Sequence, residues 1–268
     1  MFVISATHTT CRQRKSKTIE NTHNIDFMKG SDKVKRRIRT PYFETGIKCY
    51  IYGQAELDYA ALCEACAVRY DVDILFISSY TNIAQLSKLY PHLFIIAPYM
   101  DNIRPGRGMG MVLPESLKAA GAAGVVINHC EKPMTLGDIK GCIDRCRELD
   151  MYSFVCANTT QEAMAVAQMH PDIMNPEPSE LIGTGISPDM TYVTNTVRAV
   201  KETDSGILTE IAAGISKPED VYEYIMAGSD GAGAASGILR SEDPAATLDG
   251  MVAAVRRAAD DLLKKGRS

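Results

Sequence analysis

The sequence predicts an α/β fold in which eight parallel strands close into a (β/α)8 barrel with helices outside. Short β-branched runs alternate with longer segments whose apolar residues recur every three or four positions, and this alternation repeats eight times after Pro41. The length of 268 residues suits one large barrel, a fold that typically runs to about 250 residues. An open, doubly wound sheet is the alternative. The polar residues favour closure: Lys48, His129, Glu177, Gly214 and Ser236 all fall at or just after the C-terminal end of an expected strand. In a barrel those ends meet at one mouth, whereas in an open sheet they are spread along an edge.

The elements follow in order. Strand one is expected over 42–49 and is followed by a helical pattern over 55–69. Strand two, 73–78, is the run Ile74-Leu75-Phe76-Ile77 with its flanks, and its helix is 82–90. Strand three, 93–97, leads through a long loop to a helix over 114–120 that opens on Pro114, a residue at home in a first helical turn. Strand four, 124–128, precedes a helix over 136–149, where Leu136, Ile139, Ile143 and Cys146 keep one face apolar. Strands five to eight are expected over 152–157, 173–176, 206–212 and 231–234, with helices over 161–169, 190–203, 218–227 and 244–264.

Residues 1–40 differ from the rest. They are polar, with basic clusters over 12–17 and 33–39, and lack the apolar stretch of a signal peptide. They read as a disordered, solvated extension of a barrel domain over 41–268, with Met28 as an alternative start. The net charge of −4 provides no general attraction for nucleic acid, and no apolar run reaches the ~18–20 residues that span a bilayer. A cytoplasmic protein is expected. Of the 8 cysteines, Cys63 and Cys66 form a CxxC, and Cys142 and Cys146 lie one helical turn apart. Both pairs sit in helical patterns, so buried, reduced thiols are expected rather than a metal or redox centre.

Several segments carry residues suited to chemistry. His129 follows the apolar run 124–128, where a strand should meet a loop, and Glu131 lies two residues on. A lone histidine there is more often structural. Glu177 stands between Pro176 and Pro178, ahead of Gly183-Thr184-Gly185, a layout that suits a catalytic base at the foot of a hinged lid. A solvated surface acid is the plainer reading. Gly214-Ile215-Ser216 and Ala235-Ser236-Gly237 follow strands seven and eight, where barrels often grip phosphate; the same small residues also serve ordinary turns. Lys48 closes strand one, as a point charge suited to phosphate or an enediolate oxygen if it faces the mouth.

Together these segments resemble the triosephosphate isomerase family, most closely its short archaeal-type branch, from about residue 41 to the C-terminus. Asn128-His129-Cys130-Glu131 is similar to the family's histidine motif, and the stretch from Glu177 through Gly185 to its glutamate-bearing lid loop. Ile47-Lys48 resembles the Asn-x-Lys motif, and Ala213-Gly214-Ile215-Ser216 and Ala235-Ser236-Gly237 its two phosphate-gripping turns. The resemblance implies a TIM barrel that interconverts glyceraldehyde 3-phosphate and dihydroxyacetone phosphate, a step of glycolysis and gluconeogenesis, without metal or organic cofactor. It implies Glu177 as base, His129 as electrophile and Lys48 as cationic clamp, a family that is itself the worked case of carboxylate and imidazole tuned by environment. Gly46, Lys48, Ile182, Gly183, Gly214, Ala235 and Ser236 would hold substrate and phosphate, with Glu131 in support. It also implies a homo-oligomer, dimer or tetramer, through the loop 99–112, whose Met100, Met109 and Met111 suit an interface.

Two departures bear on the substrate. Gly46 stands where the family has asparagine, and Met109 where the long third loop usually has threonine. Both lie on one side of the pocket and leave a second reading open, an isomerase or epimerase of a tetrulose phosphate. A third reading is a non-catalytic sugar-phosphate binder, which would have no need of a placed base.

Overall fold

The computed structural model describes residues 35–266. Its strands are β1 (Tyr42–Gly46), β2 (Ile74–Ile77), β3 (Leu93–Ala97), β4 (Gly124–Ile127), β5 (Tyr152–Ala157), β6 (Ile173–Pro176), β7 (Leu208–Ile211) and β8 (Gly231–Gly233). All pair in parallel in chain order, and β8 returns to β1 to close the barrel, with Phe43 opposite both Ile74 and Ala232. The helices are α1 (Gln54–Tyr70), α2 (Ile83–Leu89), α3 (Pro114–Ala120), α4 (Leu136–Glu148), α5 (Thr160–Ala167), α6 (Met190–Thr203), α7 (Pro218–Met226), α8 (Ser236–Leu239) and α9 (Pro244–Lys264).

Helix starts follow their capping chemistry. Thr135, Thr159, Asp189 and Asp243 each accept a backbone N–H of the first turn, and proline opens α3, α7 and α9. Along the strands side chains alternate between two cores. Phe43, Phe76, Ile95, Val125, Ile127, Val155, Met174 and Ile211 pack outward under the helices. Tyr42, Leu75, Phe94, Ile96, Val126, Phe154, Cys156 and Ile173 fill the barrel. The thiols of Cys63, Cys66, Cys142 and Cys146 are buried among the outward set, and burial pushes Cys66 up to about 11 and Cys142 to about 12, against thiolate character. Among the described residues no helix is long and apolar enough to cross a membrane. Cys11 lies outside them.

The structure trims several expected strands at their C-terminal ends. The first stops at Gly46 because Lys48 turns left-handed at φ 46°, and the fourth stops at Ile127 because Asn128 does so at φ 61°. The seventh narrows to Leu208–Ile211 ahead of Ala213 at φ 70°. Two short elements, α8 and a 3₁₀ turn over Ser179–Leu181, are too brief to show a helical period in the sequence.

The expected disordered extension, 1–40, lies outside the described residues up to 34. Residues 35–40 pack against the N-terminal ends of the strands, so the basic cluster over 33–39 is not simply solvated. Lys35 pairs with Asp172 and lies 3.6 Å above the Tyr152 ring; Arg36 donates to the carbonyls of Pro91 and His92 and stacks on Phe94. Arg39 pairs with Asp71 and Asp73. Ile38 enters the barrel core, where its N–H donates to the Tyr152 hydroxyl, which in turn donates to the Arg36 carbonyl. These acceptors all lie more than 30 residues downstream, so a local reading of charge could not register them. Ile38→Ala should therefore cost roughly 2–5 kcal/mol of stability, read as a lowered urea midpoint. A midpoint equal to that of the unmodified chain would show that the segment does not seal the barrel.

Candidate active site

The mouth of the barrel brings together side chains from β1, β4 and β6. Lys48 follows β1 in its left-handed turn and donates from Nζ to Glu131 Oε1 at 3.0 Å. Asn128 turns the chain out of β4 and pins that turn on both sides: its Nδ2 donates to the Cys156 carbonyl at 3.1 Å, and its Oδ1 accepts from the Met134 N–H at 2.9 Å. His129, the next residue, lines the cavity. The Glu131 N–H donates to His129 Nδ1 at 3.1 Å. A nitrogen that accepts carries no proton, so neutral His129 holds its proton on Nε2. That nitrogen lies 3.9 Å from Glu177 Oε2, too far for a hydrogen bond and close enough for both to reach one bound molecule. Glu177 follows β6 with its N–H tied to the Ala157 carbonyl at 2.8 Å.

The electrostatics divide the labour. Burial raises the Glu177 carboxyl to about 7, against the opposing pull of the Lys48 charge. Burial, and then the Lys48 charge, lower the His129 pKa, so the ring stays neutral at neutral pH. Burial pulls Lys48 down, but its hydrogen bond and attraction to Glu131 outweigh this and the net shift is upward. The result is a base titrating near neutrality, a neutral N–H donor and a permanent cation.

These groups line one cavity of about 640 Å³. Gly46, Glu131, Ile182, Gly183, Gly214, Ala235 and Ser236 line it too, so every site residue predicted from the sequence faces the same space. Its far rim depends on close backbone approach. A Cβ on Gly237 would sit 2.0 Å from the Ile215 carbonyl oxygen, so only glycine lets the turns after β7 and β8 meet. Gly214 has φ 65°, and a Cβ there would sit 1.9 Å from the Ile186 carbonyl oxygen. The loop after Glu177 runs from the 3₁₀ turn through Gly183 and Gly185, both at φ 75°, to Ile186. In the loop 99–112, Met109 is fully exposed and Met111 partly so, while Met100 is buried within its own barrel. The sequence reading grouped all three as interface candidates; Met100 is withdrawn from that group because it packs in the outward core.

The sequence reading missed the floor of this cavity. Glu44 and Asn175 line it, and Glu210 lies beside Glu44. All three are buried. The signal was available as glutamates inside expected strands, in Tyr42-Phe43-Glu44-Thr45 and Leu208-Thr209-Glu210-Ile211.

The sequence profile of the triosephosphate isomerase family matches residues 46–251. The chain is 41% identical over 154 residues to triosephosphate isomerase of Methanocaldococcus jannaschii, covering 56% of this chain and 69% of that one. It is 35% identical over 205 residues to that of Methanothermus fervidus, covering 75% and 91%, and 32% identical over 218 residues to that of Methanosarcina acetivorans, covering 80% and 98%. The fold superposes on the crystal structure of triosephosphate isomerase from Bartonella henselae with a TM-score of 0.64 at 14% identity, covering 81% of this chain and 99% of that one.

The contact between Gly214 and the Ile186 backbone predicts that Gly214→Ala keeps its far-UV circular dichroism but loses roughly 1–3 kcal/mol of stability through strain at a positive φ. The displaced segment around Ile186 should also be cut faster by protease than in the unmodified chain. Equal cleavage rates would show that the glycine does not hold the loop after Glu177.

Proposed function

This chain belongs to the triosephosphate isomerase family, and on that footing we propose that it interconverts D-glyceraldehyde 3-phosphate and dihydroxyacetone phosphate through an enediolate, with Glu177, His129 and Lys48 as the catalytic groups. The observation that carries this is the pairing of a fixed His129 tautomer with a Glu177 carboxylate 3.9 Å away, beside a paired lysine.

Glu177 removes a proton from the carbon next to the substrate carbonyl, and the electron pair moves onto oxygen. Neutral His129 donates its Nε2–H to that oxygen, and Lys48 stabilises the developing negative charge. Glu177 then returns the proton to the neighbouring carbon. Gly214, Ala235, Ser236, Ile182 and Gly183 surround the phosphate, whose binding energy draws the lid closed and keeps water from the enediolate. The exposed Met109 and Met111 fit a second copy of the chain, giving a homo-oligomer, and we place the enzyme in the cytoplasm.

Two measurements test this reading. Glu177 acts as a base only when ionised, and its carboxyl titrates near 7, so kcat/KM should rise with pH through about 7. His129 is shifted downward, so its titration should affect only the acid side of the profile. A flat profile between pH 6 and 8 would remove Glu177 from the role. Glu177→Asp draws the carboxylate back from the substrate and should lower kcat about 100-fold with little effect on folding. Loss of solvent-deuterium exchange into dihydroxyacetone phosphate should accompany it; undiminished exchange would assign the proton transfer to another group.

A further inference from the structure

The floor of the active-site cavity carries a pair of carboxyl groups that proton transfer on a triose phosphate does not use. Glu44 points inward from β1, one inward position below Gly46, and Glu210 points inward from β7. Between them runs β8, where Gly233 has no side chain to separate them. A Cβ at Gly233 would lie 2.2 Å from Glu44 Oε2 and 2.8 Å from Glu210 Oε1. A Cβ at Gly46 would lie 3.4 Å from Glu44 Oε1. The Glu44 carboxyl therefore spans the space that side chains at both glycines would fill, and it faces the same cavity as Glu177.

Hydrogen bonding within the protein does not satisfy this floor. Glu210 is fully buried beside the Tyr42 hydroxyl, which holds its carboxyl down against burial, but no hydrogen bond of regular geometry reaches either of its oxygens among the described residues. Asn175 lines the cavity on β6, two positions before Glu177; it is 3% exposed, and its Oδ1 also lacks a partner. Orphaned polar atoms at such depth are costly unless a ligand or water completes them. Burial, and then the charge of Glu177, raise Glu44 to about 8, while burial and the charge of Glu44 raise Glu210. Protonated carboxyls both donate and accept, as a hydroxyl group does. An ammonium or metal ligand would instead call for both groups to be ionised.

The cavity also extends from this floor past His129 to Tyr80 and Met111.

We propose that Glu44, with Glu210 and Asn175 beside it, forms a hydroxyl-binding subsite that admits a four-carbon ketose 1-phosphate, that is, dihydroxyacetone phosphate carrying a hydroxymethyl group on the reacting carbon. The proposal rests on the reading that this cavity is the substrate site. With phosphate at the turns after β7 and β8 and the reacting carbon at Glu177, the added hydroxyl meets the Glu44 carboxyl where that group, filling the space beside Gly233, borders the cavity. There it donates to one floor oxygen and accepts from a protonated carboxyl. With the three-carbon substrate, water meets that carboxyl in place of the hydroxymethyl group.

The test uses the full chain and three probes: dihydroxyacetone phosphate, erythrulose 1-phosphate and its 4-deoxy analogue, which has a methyl group in place of the terminal hydroxymethyl. Affinity is measured by calorimetry and proton abstraction by deuterium incorporation from solvent. The unmodified chain should bind erythrulose 1-phosphate about 10- to 100-fold more tightly than the deoxy analogue, the range of one buried hydrogen bond to a polar or charged partner. In Glu44→Val that preference should fall to within about 3-fold, and Glu210→Gln, a milder change should either glutamate prove needed for folding, should reduce it in the same direction. Equal affinity of the unmodified chain for the hydroxylated and deoxy probes overturns the subsite. So does a preference that survives in Glu44→Val. Exchange into dihydroxyacetone phosphate without hydroxyl preference defeats the subsite alone. Hydroxyl preference without exchange into any probe supports the subsite and defeats the catalytic reading.

Discussion

One short turn holds this site in register. The backbone N–H of Glu131 occupies His129 Nδ1 and so leaves the proton on the nitrogen that faces the cavity, while the Glu131 carboxylate holds the Lys48 ammonium. The His129 imidazole and the Lys48 ammonium are thus oriented by the same residue through different atoms. The turn is itself anchored, because Asn128 reaches across to β5 and forward to Met134. A histidine free to flip would present either ring nitrogen. Here the backbone makes that choice before any substrate arrives, and the reorganisation cost is met in folding rather than in the reaction.

The strand ends show how the barrel affords such precision. Lys48, Asn128 and Ala213 all leave their strands with positive φ, a conformation that disfavours side chains with a Cβ. Each lies one or two residues past the last strand residue, where the chain leaves the ladder for the cavity rim. Such strain persists only where the surroundings over-determine it, and here the closed ladder and the outer helices do so. The left-handed turn is what swings Lys48 toward Glu131 rather than along the strand.

The interior departs from an apolar plug. Tyr42, Phe94 and Phe154 fill the lower barrel, but at the level below the mouth Glu44, Glu210 and Asn175 replace hydrocarbon with polar groups. Burial that raises Glu177 toward neutrality acts on these groups too, and their charges add to the pressure on one another. A base tuned by dehydration and a floor held partly protonated are two results of the same low-dielectric setting.

The sequence by itself determined the alternation of strands and helices and the placement of Lys48, His129 and Glu177 at strand ends, because periodicity and short motifs are local. It also marked a loop of restricted backbone after β6 through the prolines around Glu177 and the glycines at 183 and 185. Only the tertiary structure decided which strand residues face the barrel. Barrel strands are buried on both faces, so their apolar runs carry no visible alternation, and Glu44 and Glu210 show no inward direction until the barrel closes. The same holds for the basic segment before Pro41. Its partners, Asp73, Pro91 and Asp172, come from distant stretches of chain, and closure alone gathers them beneath the strands.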